Sequence, residues 1–378
     1  MAATRLAMQL AMDRPTAPIE MHHWPSDQPC RPRFMIIGAP KCGSTSLFKY
    51  LEMQPQMQQP AHKELCYFSA FKRHMLRGRL GAVNDWGLYV SAFSGRVSLT
   101  DAMRERCSRN ATECARTHGK RRGHGGRGGR RRAALAAVGD EAAGGQQQVT
   151  SDDEAAQRRA QCEDGRLLPF EGCPFYLGEH AAASMIHATF PQLKVIAVVR
   201  NPRERTVSAF NDYVRVGRIR QEDGNDRELA SLVVEMIRKV QSGERSLEDF
   251  DVRLLTSGVY IHGLRKWGQE WPMEQLLLLQ AETLFSEPRA TVERILNFLN
   301  IQGGPASSDY GVFNRNPLRH RARATSFVNR TLDAFFAAYN LELYAWCLRH
   351  AVPFTVWPNA SDAESAQILP RSLLPLAA

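Results

Sequence analysis

A glycine-rich loop near the start of the chain combines residue types that bind phosphate. Residues 38–45 read Gly-Ala-Pro-Lys-Cys-Gly-Ser-Thr and follow a short apolar run, residues 34–37, which is typical of a β-strand. The sequence after this loop has helical spacing. Between a strand and a helix, backbone N–H groups and the helix dipole create a site for an anion. The predicted phosphate-binding residues are Gly38, Lys41, Gly43, Ser44, Thr45 and Ser46.

The place of the lysine in this loop distinguishes it from the phosphate loop of nucleoside triphosphatases. In that loop the lysine directly follows the second glycine and precedes a Ser or Thr. Here Ser44 takes this place, and Lys41 lies before the second glycine. The displacement argues against an ATPase or a GTPase. The alternative that involves no ligand is a glycine-rich turn with a solvated lysine.

A second group of candidate phosphate ligands follows another apolar run, residues 195–199. Residues 200–208 read Arg-Asn-Pro-Arg-Glu-Arg-Thr-Val-Ser. A planar guanidinium at the end of a strand can grip a phosphate, and a serine in the following helix can add a hydroxyl. Arg200 and Ser208 are therefore the predicted ligands. Otherwise, the segment is a helix N-terminus with its arginines on a solvated face.

Glu64 is the candidate general base, in the segment His-Lys-Glu-Leu-Cys-Tyr-Phe of residues 62–68. When a group is transferred to a hydroxyl, the hydroxyl loses its proton as the new bond forms, and a nearby carboxylate can accept it. A lone glutamate in a loop is usually a solvated charge. The assignment therefore depends on the two phosphate motifs.

Together these motifs resemble those of the carbohydrate sulfotransferases that use 3′-phosphoadenosine 5′-phosphosulfate (PAPS), and the heparan sulfate sulfotransferases in particular. The resemblance covers residues 31–106 and 163–350. It implies that Lys41 contacts the 5′-phosphate and the bridging oxygen. It also implies that the 3′-phosphate binds to Arg200 and Ser208, that Glu64 is the catalytic base, and that no metal is required.

The resemblance extends to segments that contact the acceptor or close over the nucleotide, with two departures. Several family members carry His two residues after the catalytic Glu, where this chain has Cys66. The segment beginning at Glu171 resembles an acceptor-contacting stretch, although Gly172 departs from the usual polar residue. Glu171 is thus a predicted acceptor contact and the next candidate for the base. A basic loop before the last helix contains Arg315, Arg319, Arg321 and Arg323, and which of them touches the nucleotide stays open.

Continuous apolar runs at 34–37, 195–199 and 276–279 predict an α/β fold, since strands of a covered parallel sheet are apolar on both faces. We predict one P-loop-type domain with a central, mostly parallel sheet flanked by helices. It spans residues 31–350, after an N-terminal tail of residues 1–30 and before a C-terminal tail of residues 351–378. An Arg/Gly-rich, low-complexity insertion at 107–164 interrupts it, because this composition cannot bury enough surface to order itself.

The net charge of +10 is concentrated in one segment of the 378-residue chain. Residues 119–132 contain seven Lys or Arg and no acid. The rest is only mildly basic, which suits an anionic cofactor or glycan without demanding nucleic acid.

The eight cysteines include no CxxC pair, so a structural zinc site is not expected. Three of them, Cys107, Cys114 and Cys162, bracket the insertion. The sequence allows either a disulfide or free thiols at these positions. The family resemblance and three glycosylation sequons, at Asn110, Asn329 and Asn359, favour a glycoprotein of the Golgi lumen. Against this, residues 1–30 contain no apolar run long enough for a signal peptide or a membrane span, which favours a soluble, cytoplasmic chain.

Two other functions compete with sulfuryl transfer. A P-loop kinase would share the fold but would need the Lys-Ser/Thr pair that serves the γ-phosphate and Mg²⁺. A nucleic-acid or acidic-glycan binder would use the Arg/Gly-rich insertion, although aromatic residues for base stacking are missing from 119–132. For a sulfotransferase, the acceptor stays open among heparan sulfate, chondroitin-like chains, an algal-type polysaccharide and smaller glycans.

Overall fold

The computed structural model describes residues 23–28, 30–60, 63–69, 86–93, 152–220, 225–307, 310–311, 313 and 321–358. The strands are β1 (Phe34–Gly38), β2 (Met57–Gln58), β3 (Leu168–Gly172), β4 (Lys194–Val199) and β5 (Leu276–Gln280). The helices of the first half are α1 (Ser44–Glu52), α2 (Trp86–Ser91), α3 (Asp152–Glu163), α4 (His180–Thr189) and α5 (Pro202–Arg215). Those of the second half are α6 (Asp226–Gln241), α7 (Arg253–Thr256), α8 (Tyr260–Glu270), α9 (Ala281–Ser286), α10 (Pro288–Phe298) and α11 (Ser326–Arg349).

The chain divides into two compact units. The first takes its described residues from Met1–Val198 and Gly263–Asn314, and the second from Val199–His262 and Arg315–Ala378. The first unit contains the β-sheet, the phosphate loop and the Glu64 segment. The second unit is helical and contains the predicted phosphate ligands Arg200 and Ser208.

In the described part of the chain, the sheet has five strands in the order β2–β3–β1–β4–β5. Strand β1 pairs in parallel with β3 and with β4, and β2 pairs in parallel with β3. All five residues of β1 are buried, as expected for a central strand with both faces covered. The predicted α/β fold with a central, mostly parallel sheet is therefore confirmed.

Aromatic side chains fix helix α1 against the sheet. Phe34 of β1 and Phe170 of β3 are register partners, and their rings stack with centroids 4.9 Å apart. The ring of Phe48 of α1 lies 4.7 Å from that of Phe170. A Cβ on Gly172 would lie 3.0 Å from the Phe48 ring, so the glycine lets the helix approach the strand closely. The two elements that flank the loop, β1 and α1, thus both pack against Phe170.

The end of the predicted insertion differs from the expectation. Residues 152–163 form α3, and Cys162 of this helix forms a disulfide with Cys30. The segment is rich in Ala, Gln, Glu and Arg, which are good helix formers as well as common residues of low-complexity sequence. The remainder of the insertion, residues 107–151, lies outside the described residues.

Both predicted tails contain ordered residues. Trp24 packs edge-on against Phe93, with ring centroids 5.8 Å apart. Trp357 is buried, and its main-chain N–H donates to the hydroxyl of Tyr344 on α11 over 3.2 Å. Aromatic packing therefore orders parts of both segments that were predicted to be tails. Residues 1–22 and 359–378 lie outside the described residues.

In the second unit, helices α5 and α6 pack against the long helix α11. Gly258 lies between Phe336 and Pro202, where a Cβ would come within 3.0 Å of both side chains. In the described part of the chain, no helix is both long enough and apolar enough to cross a membrane.

Candidate active site

The phosphate loop begins where β1 ends and folds back on itself before α1. The N–H of Ala39 donates to the carbonyl of Val198 over 2.7 Å, which anchors the loop to β4. Gly43 precedes the helix with φ of 87°, and a Cβ there would lie 2.8 Å from the ring of Phe285. Both the left-handed backbone and the lack of space favour glycine at this position.

The first turn of α1 has the donors of an anion site. The first N–H groups of a helix have no acceptor within the helix, and the positive end of the helix dipole lies there. No side chain caps α1 at Gly43, and its first turn contains no acidic residue. The hydroxyl of Ser46 donates to the carbonyl of Phe313 over 3.4 Å, so its available donor is the main chain. With Lys41, these N–H groups fit a phosphate.

Lys41 and Glu64, the two predicted catalytic residues, both adopt a left-handed backbone conformation. Their φ angles are 67° and 62°, and Cys66 follows with 52°. For residues other than glycine this conformation costs about 1–3 kcal/mol, and the surrounding structure must enforce it. Such residues are concentrated at functional sites, but Asn300 and Ala351, which lie outside the predicted site, share this conformation.

Lys63, which the sequence analysis did not single out, connects Glu64 to the phosphate loop. Its Nζ lies 2.6 Å from Oε1 of Glu64 and 3.3 Å from Oγ1 of Thr45 in the first turn of α1. The ammonium of Lys63 therefore contacts both the carboxylate of Glu64 and the phosphate loop. The ion pair is partly exposed, with 23% and 28% of the two side chains accessible. The available signal was a lysine next to the candidate base, which is too common to be specific.

Glu171 is fully buried in β3, and its carboxylate accepts three hydrogen bonds. Oε1 accepts from the N–H of Cys66 and the hydroxyl of Tyr176, each over 2.8 Å. Oε2 accepts from the hydroxyl of Tyr89 over 2.6 Å. Burial raises the pKa of the Glu171 carboxyl, and the three donors oppose that shift. This geometry gives no support to the predicted contact between Glu171 and an acceptor.

The two tyrosines beside Glu171 are permanent donors. Burial, reinforced by the adjacent carboxylate, raises the pKa of Tyr89 and of Tyr176 well above the ordinary value. Both hydroxyls therefore keep their protons at neutral pH.

Cys66 and Cys173 form a disulfide that joins the Glu64 segment to the residue after β3. Cys66 is the residue that replaces the His of several family members, so here this position holds a cross-link. The sequence analysis considered only cysteines around the insertion, of which Cys107 and Cys114 lie outside the described residues.

In the second unit, each of the three arginines at 200–208 has a partner. Nη1 of Arg203 lies 2.8 Å from Oδ2 of Asp333, and the buried guanidinium of Arg205 donates to the carbonyl of Leu254. The guanidinium of Arg200 pairs with the exposed carboxylate of Glu204, with Nη2 2.7 Å from Oε2. An exposed ion pair of this kind is weak and can yield to a phosphate.

Ser208 is half-buried in the second turn of α5. The helix begins with Pro202 as its first residue, and the side chain of Asn201 accepts from the N–H of Arg203 over 3.0 Å. Of the basic loop before α11, Arg321 and Arg323 are exposed, whereas Arg315 and Arg319 lie outside the described residues. Among the described residues, no group of three or more His, Cys, Asp or Glu could hold a metal ion.

The parallel sheet, with a glycine-rich loop between its central strand β1 and helix α1, defines an α/β fold. The family model of the sulfotransferase domain matches residues 31–309, well over half of the chain. The chain therefore belongs to the sulfotransferase domain family. This membership decides against the kinase alternative.

Several curated relatives act on heparan sulfate according to their names. The chain is 24% identical over 136 residues to the bifunctional heparan sulfate N-deacetylase/N-sulfotransferase 1 of Caenorhabditis briggsae, covering 36% of this chain and 16% of that protein. It is 29% identical over 139 residues to the human heparan sulfate glucosamine 3-O-sulfotransferase 6, covering 37% of this chain and 36% of that protein. The aligned segment thus spans well under half of each relative.

Solved sulfotransferase structures are also similar. A sulfotransferase from Alicyclobacillus acidocaldarius has a TM-score of 0.48 at 18% identity, covering 84% of this chain and 95% of that chain. The sulfotransferase domain of the Synechococcus PCC 7002 olefin synthase has a TM-score of 0.41 at 16% identity, covering 90% of this chain and 100% of that chain.

Proposed function

We propose that this sulfotransferase transfers a sulfuryl group from PAPS to a hydroxyl or an amine of a glycan, with Glu64 as the general base. The observation that carries the proposal is the position of Lys63, whose Nζ contacts both the Glu64 carboxylate and Thr45 of the phosphate loop. A carboxylate beside the loop that binds the donor is where in-line transfer requires a base.

The phosphate loop and Lys41 would bind the 5′ side of the nucleotide. Main-chain N–H groups of Ser44, Thr45 and Ser46, together with Gly38 and Gly43 for close approach, suit the phosphate oxygens. Lys41 would neutralise the charge that develops as the bond from sulfur to the 5′-phosphate oxygen breaks. Arg200 and Ser208 keep their predicted role toward the 3′-phosphate.

Glu64 would take the proton of the acceptor as the acceptor oxygen or nitrogen bonds to sulfur. Its partly exposed side chain can reach an incoming group, whereas Glu171 is fully buried and engaged by three donors.

A glycan acceptor is supported by the names of the heparan sulfate relatives and by the mildly basic sequence outside the insertion. The Golgi lumen is supported by the two disulfides, Cys30–Cys162 and Cys66–Cys173, because disulfides persist in oxidising compartments. Localisation of the tagged chain in the cytosol, with these four cysteines reduced, would contradict that part of the proposal.

The reaction is tested by incubating the chain with PAPS labelled in its sulfuryl group and a panel of glycans. The panel contains heparan sulfate, chondroitin, an algal polysaccharide and short glycans, each with and without prior chemical desulfation. We expect label in at least one glycan, at a position that mapping of the product identifies. Transfer to a protein or a lipid, with every glycan unlabelled, would refute the glycan acceptor while leaving sulfuryl transfer intact.

A further inference from the structure

We infer that Glu171 is a positioning residue for the reaction, which holds Glu64 in place through the main-chain N–H of Cys66. The inference rests on the proposed role of Glu64 as the general base. It assigns to Glu171 neither the acceptor contact nor the role of an alternative base.

Glu171 is held in the central sheet, opposite the strand that leads into the phosphate loop. It lies in β3 and is the register partner of Met35 in β1, the strand that leads into that loop. Its side chain is fully buried. The distance of 2.8 Å from its Oε1 to the N–H of Cys66 therefore ties the Glu64 segment to the same sheet that positions Lys41.

Three further connections join residues 66–69 to residues 173–179. The N–H of Phe68 donates to the hydroxyl of Tyr176 over 3.3 Å, and that hydroxyl donates in turn to Glu171. The hydroxyl of Ser69 donates to Oε1 of Glu179 over 2.6 Å. The third connection is the disulfide between residues 66 and 173. Glu171 lies at the centre of this network, since its carboxylate also holds Tyr176.

The backbone of the Glu64 segment needs such support. Glu64 and Cys66 are both left-handed, and a residue other than glycine keeps this conformation only when its surroundings enforce it. If the N–H of Cys66 lost its acceptor, the peptide groups before it could rotate and carry the Glu64 carboxylate away from the acceptor. A misplacement of about 1 Å at a reacting group can cost about 10²-fold in rate.

The chemistry of the three donors distinguishes a positioning role from a catalytic one. In Glu171→Gln, the amide oxygen still accepts from Cys66 and Tyr176, and the amide N–H₂ can donate to the hydroxyl of Tyr89. In Glu171→Leu, these three buried donors lose their acceptor. If Glu171 were the base, both substitutions would abolish turnover. If it is a positioning residue, only Glu171→Leu lowers turnover.

The experiment compares turnover of the full chain at saturating PAPS with its affinity for 3′-phosphoadenosine 5′-phosphate. We expect Glu171→Leu to lower kcat about tenfold or more with the nucleotide Kd changed less than about threefold. We expect Glu171→Gln to keep kcat within about threefold of the wild type. Wild-type kcat in Glu171→Leu would overturn the inference, as would a loss in Glu171→Gln as large as that in Glu64→Gln.

A double variant separates positioning from a general structural role. Since Glu171 acts through Glu64, Glu171→Leu should cause no further loss of kcat when Glu64 is already Gln. Additive losses would overturn the inference.

Failure of the proposed base is a separate outcome, seen as near wild-type turnover in Glu64→Gln alone. If Glu171→Leu does not fold, Tyr89→Phe replaces it, with an expected loss of about threefold or more that is likewise absent in the Glu64→Gln background.

Discussion

In the proposed mechanism, substitution of Glu64 affects the proton transfer alone. Glu64→Gln keeps the size of the side chain and removes its basicity, so we expect turnover to fall by roughly 10²- to 10⁴-fold with PAPS affinity nearly unchanged. Steady-state kinetics with a fixed glycan and a nucleotide-binding titration measure the two quantities. Glu52→Gln is the matched control, because Glu52 forms an ordinary ion pair with Lys49, 2.6 Å apart, on the helix after the phosphate loop. More than about a tenth of wild-type turnover in Glu64→Gln would assign the base to another group.

Lys41 should affect binding as well as turnover. In the proposed mechanism its ammonium contacts the 5′ side of the nucleotide in the ground state and the developing charge in the transition state, so Lys41→Ala should weaken nucleotide affinity and lower kcat together. Calorimetric titration with 3′-phosphoadenosine 5′-phosphate and the kinetic assay check both effects. The control is Lys49→Ala, in the last turn of α1. An unchanged nucleotide Kd in Lys41→Ala would contradict the role of the loop.

For single residues, the sequence predicts local motifs but does not predict contacts between side chains. The loop containing Lys41 has a local signature, because an apolar strand, a glycine-rich turn and a helix follow one another directly. The contact between Glu171 and Cys66 joins residues 105 positions apart, with the insertion between them, so no spacing in the sequence reports it. The role of Lys63 depends on the path of the segment in space, which local pattern does not determine.

Among the elements, the Glu64 segment is joined to the residue after β3 by the Cys66–Cys173 disulfide. The two disulfides close long segments, with separations of 107 residues for Cys66–Cys173 and 132 for Cys30–Cys162. In the chain-entropy model each stabilises the folded state by about 5 kcal/mol, and measured losses are typically about 2–5 kcal/mol. Their removal should therefore lower the unfolding free energy by similar amounts.

Removal of the two disulfides should have different effects on kcat. The double Cys→Ser variant at 66 and 173 should lower kcat at a temperature where it remains folded, because it frees the segment that carries Glu64. The matched variant at 30 and 162, which frees α3, should keep kcat. Chemical denaturation and kinetics of both variants provide the measurement. Equal kcat in the two variants would show that the Glu64 segment needs no support from the cross-link.

Three of the five described strands follow from sequence patterns, whereas β2, β3 and the end of the insertion do not, because β2 has two residues and β3 contains Pro169 and Glu171. Continuous apolar runs identified β1, β4 and β5 because both faces of these strands are buried. Helix α3 was assigned to the insertion because its Ala-, Gln- and Arg-rich composition is shared by helices and low-complexity segments. The disulfide that holds it, between Cys162 and Cys30, joins distant positions and has no local signal.

For the whole molecule, the basic insertion and the sulfotransferase domain should have separable functions. Deleting residues 119–132 removes seven Lys or Arg, and we expect kcat for sulfuryl transfer to stay within about twofold, since loop length has little effect on stability. Any affinity for RNA, and its salt dependence, should disappear. The control deletes residues 135–148, which are equally numerous and contain no Lys or Arg. Loss of transfer with the first deletion alone would place the insertion in the reaction.

The donor nucleotide tests the central claim most directly, since it requires no knowledge of the acceptor. We predict that 3′-phosphoadenosine 5′-phosphate at about 100 times its Kd adds about 2.7 kcal/mol to the unfolding free energy and raises the Tm, whereas ATP at the same concentration raises it far less. The difference should shrink in Arg200→Ala and persist in Arg238→Ala, an exposed arginine of α6 that pairs with Glu235 and Glu244. Equal stabilisation of the wild type by the two nucleotides would contradict the assignment of PAPS as the donor.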